Sequence, residues 1–203
     1  PDAIVEGVTL AALSANAAPA MAGEALYADL TVVGPVRSGV EKALVCGALL
    51  ETPSAVLVWP GGAAAPPTLG APGERAERLG RRVAIAWDGR REAARAVRQA
   101  APFLRAAEHV EIVCVSHFMG LEPFDAPAGE RLRAHLAAQG VRAALAPRDG
   151  GPVGEVLLET AREGLADLIV MGGYGHSRLR ESLFGGVTER LIGVSDIPLL
   201  LAH

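Results

Sequence analysis

Residues 166–202 read ADLIVMGGYGHSRLRESLFGGVTERLIGVSDIPLLLA, and this stretch decides the fold class. Residues 167–171 are apolar after the first position and run into a Gly-Gly pair, which indicates a buried strand followed by a tight turn. We expect a helix from about Gly186 to Val194 and a last apolar strand over residues 197–202. A strand, a glycine-rich loop, a helix and a second strand in this order predict a β-α-β unit with parallel strands.

The same alternation extends upstream of this unit. Short apolar runs bounded by turn residues predict three more strands, at residues 83–87, 110–115 and 141–146. Apolar residues at helical spacing predict a helix after each of them: Ala93, Val97, Ala100 and Leu104; Leu132 and Leu136; Val153, Val156, Leu157 and Ala161. Continuous apolar strands alternating with helices predict an α/β domain with a doubly wound, Rossmann-like, open parallel sheet of five strands in the order 3-2-1-4-5.

A partial repeat defines the expected domain organisation. Residues 28–34, ADLTVVG, match residues 166–172, ADLIVMG, and in both places a helical stretch and an apolar strand follow. Between the two copies, eight of the fourteen residues 60–73 are Pro or Gly, which is typical of a linker. We therefore expect a degenerate C-terminal half of a first domain over residues 1–60, a linker over 61–80 and a complete domain over 81–203.

Glycines mark the candidate ligand site. Gly172 and Gly175 follow a buried strand, and Gly185 and Gly186 open the next helix. Glycines allow backbone N–H groups to approach an anion closely, and the positive end of a helix favours the same ligand, so phosphate is the expected group. The alternative is a tight turn that needs glycine only for its backbone dihedrals.

The predicted strand order places Asp88 near these glycines. In an order of 3-2-1-4-5 the reversal lies between the strand that ends at Asp88 and the strand that ends at Gly172, and ligands of open parallel sheets bind at such reversals. The Asp88 carboxylate would accept a ribose hydroxyl or help to hold a metal ion that arrives with a bound nucleotide. The alternative role for Asp88 is to cap the helix that starts near Arg90.

These residues resemble the universal stress protein family. Its ATP-binding members carry Gly, two residues, Gly, nine residues, Gly and then Ser or Thr, and Gly172, Gly175 and Gly185 stand at those spacings, with Gly186 in the fourth place. The resemblance implies ATP, with or without Mg²⁺, as the cofactor, a role in stress response or signalling, and at most slow ATP hydrolysis. The implied nucleotide-binding residues are Ala86, Asp88, Val115, Met171, Gly172, Gly175, His176, Gly185, Gly186, Val187 and Thr188.

The hydroxyl that the family motif expects is missing at Gly186, which keeps a second function open. The alternative is a scaffold of the same fold that binds no nucleotide and acts through protein contacts. An adenylating enzyme is a more distant alternative, because no phosphate-loop motif follows the first strand of the complete domain.

Composition narrows the remaining expectations. The net charge is −4 and the basic stretch at residues 75–91 is interleaved with acids, so nucleic acid is not an expected partner. No apolar run reaches the ~18 residues of a membrane helix, and acids precede the Ala-rich stretch at 10–22, which argues against a signal peptide. Two cysteines 68 residues apart fit a reducing, cytoplasmic setting without a metal site. The family resemblance further implies pairing through last strands, either in a homodimer or between residues 55–59 and 197–202 of one chain.

Overall fold

The computed structural model describes residues 17–37, 39–60, 79–116, 126–174 and 186–203. Its elements, in chain order, are α1 (Ala17–Ala25), β1 (Leu30–Val33), α2 (Gly39–Glu51), β2 (Ala55–Val58), β3 (Arg82–Ala86), α3 (Arg91–Gln99), α4 (Ala101–Ala106), β4 (His109–Ser116), α5 (Ala126–Ala138), β5 (Ala143–Asp149), α6 (Val153–Glu163), β6 (Leu168–Gly172), α7 (Gly186–Val194) and β7 (Leu199–Ala202). Within this described part, no helix is both long and apolar enough to cross a bilayer.

All seven strands join one sheet in the order β1-β2-β7-β6-β3-β4-β5. The section from β7 to β5 is parallel throughout and reproduces the predicted order 3-2-1-4-5, so this prediction is confirmed. The complete domain contributes the predicted five strands, and β2 extends the sheet by pairing antiparallel with β7, with β1 parallel beside it. The predicted contact between the two last strands is therefore made within one chain.

Alternation along the strands explains the two helical layers. In β3, Val83 and Ile85 face the core beneath α3, α4 and α5, whereas Ala84 faces the core beneath α2, α6 and α7. Because successive side chains of a strand point to opposite faces, a continuous apolar run fills both cores. This is the doubly wound arrangement that the sequence predicts.

Several predicted boundaries are wrong by a few residues, and one helix is divided. The apolar face of Ala93, Val97, Ala100 and Leu104 is buried as predicted, but α3 ends at Gln99 and α4 begins at Ala101. Pro102 has no N–H to donate to the carbonyl four residues back, which interrupts the helix there. Residues 17–22 of the Ala-rich stretch belong to α1.

Hydrogen bonds from β3 to Asp167 align the two strands at the reversal. The Asp167 carboxylate accepts from the backbone N–H groups of Arg81 and Arg82, both at 2.9 Å. Both residues lie at the start of β3, and Asp167 immediately precedes β6. The carboxyl ends of β3 and β6 are therefore held side by side, where the candidate site lies.

Candidate functional site

The apolar part of the predicted site lies on one face of the sheet. Met171 is buried in the core beneath α2, α6 and α7, and Ala86, Val115 and Val187 pack against that same core. The register Ile85↔Val170 brings the ends of β3 and β6 together, and Trp87 N–H donates to the Val113 carbonyl at 2.9 Å beside them. The structure thus groups four of the predicted residues around the reversal of strand order.

Gly172 is required by close packing within the protein. A Cβ at this position would lie 2.7 Å from the backbone nitrogen of Ala93 and 2.9 Å from the Cβ of Glu92, in the first turn of α3. A side chain cannot be accommodated against backbone atoms at such distances. Its dihedral freedom is not the reason, since Gly172 is absent from the positive-φ glycines of the described residues.

Gly173 makes a second close approach, to the N-terminal segment. A Cβ there would lie 2.4 Å from the Cδ2 atom of Leu49 on α2. The Gly173 N–H donates to the Ala202 carbonyl at 2.8 Å, and its carbonyl lies 3.1 Å from the His203 Nδ1 atom. Sequence reasoning missed Leu49 and His203 as neighbours of the glycine loop, because neither belongs to the loop motif.

Gly186 stands at the N-terminus of α7. It is exposed, and among the described residues no atom outside its own helix turn lies within 4 Å of a Cβ built on it. Two residues later, Thr188 is only 4% exposed and its Oγ1 atom lies 3.5 Å from the Tyr174 backbone nitrogen. The Thr188 hydroxyl therefore faces the start of the glycine loop from inside the fold. The predicted residues Gly175, His176 and Gly185 lie outside the described residues.

Asp88 takes a local role before α3. Its Oδ1 atom accepts from the Arg90 backbone N–H at 2.9 Å, and its Oδ2 atom lies 4.0 Å from the Arg90 guanidinium. The helix begins at Arg91, with Arg90 as the N-cap. Asp88 thus forms the turn that leads into α3 but does not cap the helix, whose N-cap Arg90 has no side-chain capping hydrogen bond, and its carboxylate remains largely exposed.

Glu92 is a buried acid that sequence reasoning also missed. It is 4% exposed and stands where α3 meets Gly172. Burial would raise the pKa of this carboxyl, but its hydrogen bond from Arg91 and the nearby charge of His203 hold the pKa below its ordinary value. Glu92 therefore carries negative charge beside the first glycine of the loop. Its place in the first turn of α3, where acids are favoured, is the one available sequence signal.

Tyr174 and Cys46 join the loop to α2. The Tyr174 hydroxyl lies 3.0 Å from the Cys46 Sγ atom. Burial raises the pKa of the Cys46 thiol, and burial also raises the pKa of the Tyr174 phenol, so both groups are protonated at neutral pH. Both cysteines of the chain are free thiols. Among the described residues, no cluster of three or more His, Cys, Asp or Glu has the arrangement of a metal site.

Comparison with known proteins supplies the family. The model of the family described as "Universal stress protein family" matches residues 80–203. This chain belongs to the universal stress protein family. The match covers the section from β3 to β7, which contains the candidate site.

Relatives of this universal stress protein include solved structures of longer chains. A universal stress protein from Archaeoglobus fulgidus DSM 4304 has a TM-score of 0.62 and 19% identity, over 86% of this chain and 60% of that one. A putative universal stress protein from Pseudomonas aeruginosa UCBPP-PA14 has a TM-score of 0.60 and 16% identity, over 90% of this chain and 66% of that one. At these identities the likeness shows the fold alone.

A curated relative matches over a shorter stretch. The "Stress response protein NhaX" of Bacillus subtilis (strain 168) is 42% identical over 53 residues, which are 26% of this chain and 31% of that protein. The chain therefore covers less than two thirds of the length of each relative named here.

Proposed function

We propose that this universal stress protein binds ATP, with or without Mg²⁺, in the crevice between the ends of β3 and β6. Its role is in stress response or signalling, with at most slow ATP hydrolysis, in the cytoplasm. The phosphates lie against the glycine loop at residues 172–175 and the start of α7 at residues 185–188, where the Gly173 N–H is not available to them because it donates to the Ala202 carbonyl at 2.8 Å. The base lies near Ala86 and Val115, and Asp88 accepts from the ribose or supports a nucleotide-bound Mg²⁺ ion.

The observation that carries the proposal is the convergence at the reversal of strand order. Ala86, Val115 and Val187 are partly buried apolar residues there, with Met171 buried among them, and α7 begins at the exposed Gly186, which is the positive end of a helix dipole. An apolar wall beside an anion-binding helix end matches the two chemical parts of a nucleotide.

The N-terminal segment has a supporting role in this proposal. We infer that residues 1–60 are the degenerate second half of another universal stress domain. Gly34-Pro35-Val36-Arg37 stands there in place of a glycine loop, so this half binds no nucleotide. Its β2 covers the edge of β7 that would otherwise be exposed for pairing with another chain. A homodimer formed through β7 is then not required.

Calorimetry with Mg·ATP tests the proposal on the wild type and two variants at one position. Gly186→Ser restores the hydroxyl that the family motif expects, and Gly186→Ala is the matched control, since Gly186 is exposed and no atom of the described residues lies within 4 Å of a Cβ built there. One hydrogen bond contributes about 0.5–1.5 kcal/mol, so we expect Gly186→Ser to bind several-fold more tightly than Gly186→Ala. From the motif, Gly175→Val should abolish binding. The absence of binding heat in the wild type and in Gly186→Ser would exclude the proposal.

The second candidate function is a scaffold that acts through protein contacts. Glu92 favours it, because this ionised acid, although paired with Arg91, belongs to the residue that packs against Gly172 and opposes the approach of a triphosphate there. Gly172 and Gly173 are also accounted for by packing against α3 and α2 without any ligand. The variant Glu92→Gln distinguishes the two functions in the same calorimetry. If the protein binds nucleotide, the variant should bind ATP more tightly than the wild type. If the protein is a scaffold, neither protein should give binding heat with ATP.

A further inference from the structure

A cleft lies between α3, α4 and α5, at the opposite end of the sheet from the candidate site. Helices α3 and α5 end beside it, and β5 begins just after it, so it lies toward the amino ends of the strands. Its volume is about 190 Å³, whereas an apolar protein cavity of about 150 Å³ can hold a benzene molecule. The cleft is therefore large enough for a single ring or a short branched chain.

The floor of the cleft is apolar and is formed by the core beneath the three helices. Its side chains come from the last turn of α3, from α4, from α5 and from the residue after the α5 turn: Val97, Ala101, Leu104, Leu136 and Val141. All of them except Ala101 are buried. An apolar group that enters the cleft would release water from its own surface and from this floor, so the floor favours a ligand with an apolar body.

Two arginines stand on one rim of the cleft. Arg98 lies in the last turn of α3 and Arg105 in the last turn of α4, and both are exposed. Neither arginine forms an ion pair within the described part of the chain. On the α5 rim, the Gln139 Nε2 atom lies 2.7 Å from the His135 Nε2 atom, so these side chains bind each other. Among the described residues that line the cleft, none is an acid.

The charge of the rim and the polarity of the floor together select a class of ligand. Guanidinium groups bind carboxylates and phosphates with paired hydrogen bonds, so the arginines favour an anion. The C-terminal ends of α3 and α5 both lie at the cleft, and helix C-termini carry partial negative charge. This partial charge opposes a phosphate dianion more strongly than a carboxylate, which carries a single charge.

We propose that this cleft binds a small carboxylate with an apolar body, such as a single aromatic ring or a short branched chain. The carboxylate is bound by Arg98 and Arg105, and the apolar body lies over the floor. The cleft shares no lining residue with the proposed nucleotide crevice. The proposal therefore stands or falls independently of ATP binding.

Methyl NMR of the full chain tests the proposal with benzoate as the probe. Benzoate should shift the methyl resonances of Leu104, Leu136 and Val141, with a Kd on the order of 1 mM for so small a ligand. The methyl resonances of Val58 and Leu199 are internal references, because both residues lie in the core on the other face of the sheet. Benzyl alcohol lacks the charge and acetate lacks the ring, so each should bind at least about fivefold more weakly than benzoate.

Arginine variants test the role of the rim. Arg98→Gln and Arg105→Gln should each weaken benzoate binding about two- to fivefold, the range of an exposed ion pair, and the two losses should add in the double variant. Arg133→Gln is the matched control, because Arg133 is a half-exposed arginine of α5 that pairs with Glu130 and does not line the cleft. This variant should bind benzoate as tightly as the wild type.

Four results would overturn the proposal. Methyl resonances that stay unchanged with benzoate up to about 20 mM, well above the expected Kd, would show that no such ligand binds. Equal binding of benzyl alcohol, or undiminished benzoate binding in the double variant, would show that the arginines do not bind the carboxylate. Tighter binding of inorganic phosphate than of benzoate would assign the arginines to phosphate instead.

Discussion

The two β-α-β segments, Leu30–Val58 and Leu168–Ala202, share a motif but differ in their surroundings. In each, two parallel strands are joined by a helix on the same face of the sheet, and β2 and β7 meet antiparallel in the middle. On its other side β6 pairs with β3 and is covered by α3, whereas β1 is the edge of the sheet. The same short sequence motif therefore serves one central strand and one edge strand.

The matching glycines show what this difference means. A Cβ on Gly172 would contact the backbone of α3, whereas no atom of the described residues lies within 4 Å of a Cβ on Gly34. Val170 is 0% exposed, and its counterpart Val32 is 55% exposed. The requirement for glycine and for burial arises from the neighbouring strand and helix rather than from the motif itself.

Substitution of each matching glycine by alanine should give the largest difference in stability between the two segments. We expect Gly172→Ala to destabilise the fold by about 3 kcal/mol or more, because backbone atoms of α3 must move to admit the methyl group. Gly34→Ala should change stability by less than about 0.5 kcal/mol. Urea unfolding measures both, and similar losses at the two sites would refute the account of Gly172.

Truncation of the two matching valines should give the next largest contrast. Val170→Ala removes two buried methyl groups and leaves a cavity, so we expect a loss of about 2 kcal/mol. Val32→Ala should cost less than about 0.5 kcal/mol, since the side chain is already half in water. A large loss for Val32→Ala in thermal unfolding would mean that the β1 edge is covered in solution.

The contact between the two segments can be isolated at Gly173. Gly173→Ala places a methyl group against the end of the Leu49 side chain, which can rotate at some cost, so we expect a loss of about 1–2 kcal/mol. In a Leu49→Ala background the same substitution should cost almost nothing, because the conflicting atoms are gone. A double-mutant cycle from denaturant midpoints measures this coupling, and additive losses would show that the two residues do not meet.

The smallest effect concerns an ion pair near β7. Arg162 hydrogen-bonds to Asp196 and holds the pKa of that carboxyl below its ordinary value of 3.8. A depressed pKa contributes stability that is present above pH ~4 and is lost as pH falls through the folded value. Both side chains are about half exposed, so Asp196→Asn should cost less than about 1 kcal/mol at pH 7. The difference from wild type should shrink as the pH falls below about 4 in pH-dependent unfolding.

The sequence was sufficient for the local elements and their order. Each strand of the complete domain is an apolar run ended by turn residues, and such signals are local. The order 3-2-1-4-5 was predicted from the alternation of strands and helices and from the right-handedness of their crossovers. The helix Gly186–Val194 was predicted with its observed bounds. The pairing of the last strands followed from the repeat and the family resemblance. The nucleotide ligand and the domain boundaries stay predictions.

Only the tertiary structure decided which residues surround the glycine loop. Leu49, Cys46 and His203 come from distant parts of the chain, and no periodicity or motif connects them to Gly173 and Tyr174. The sequence predicted that Gly172 either lets the backbone bind an anion or allows a tight turn, whereas the structure shows that it makes room for the first turn of α3. The physical reason is that backbone propensity and hydrophobic periodicity act over a few residues. Steric exclusion at a packed interface depends instead on which elements the sheet brings together.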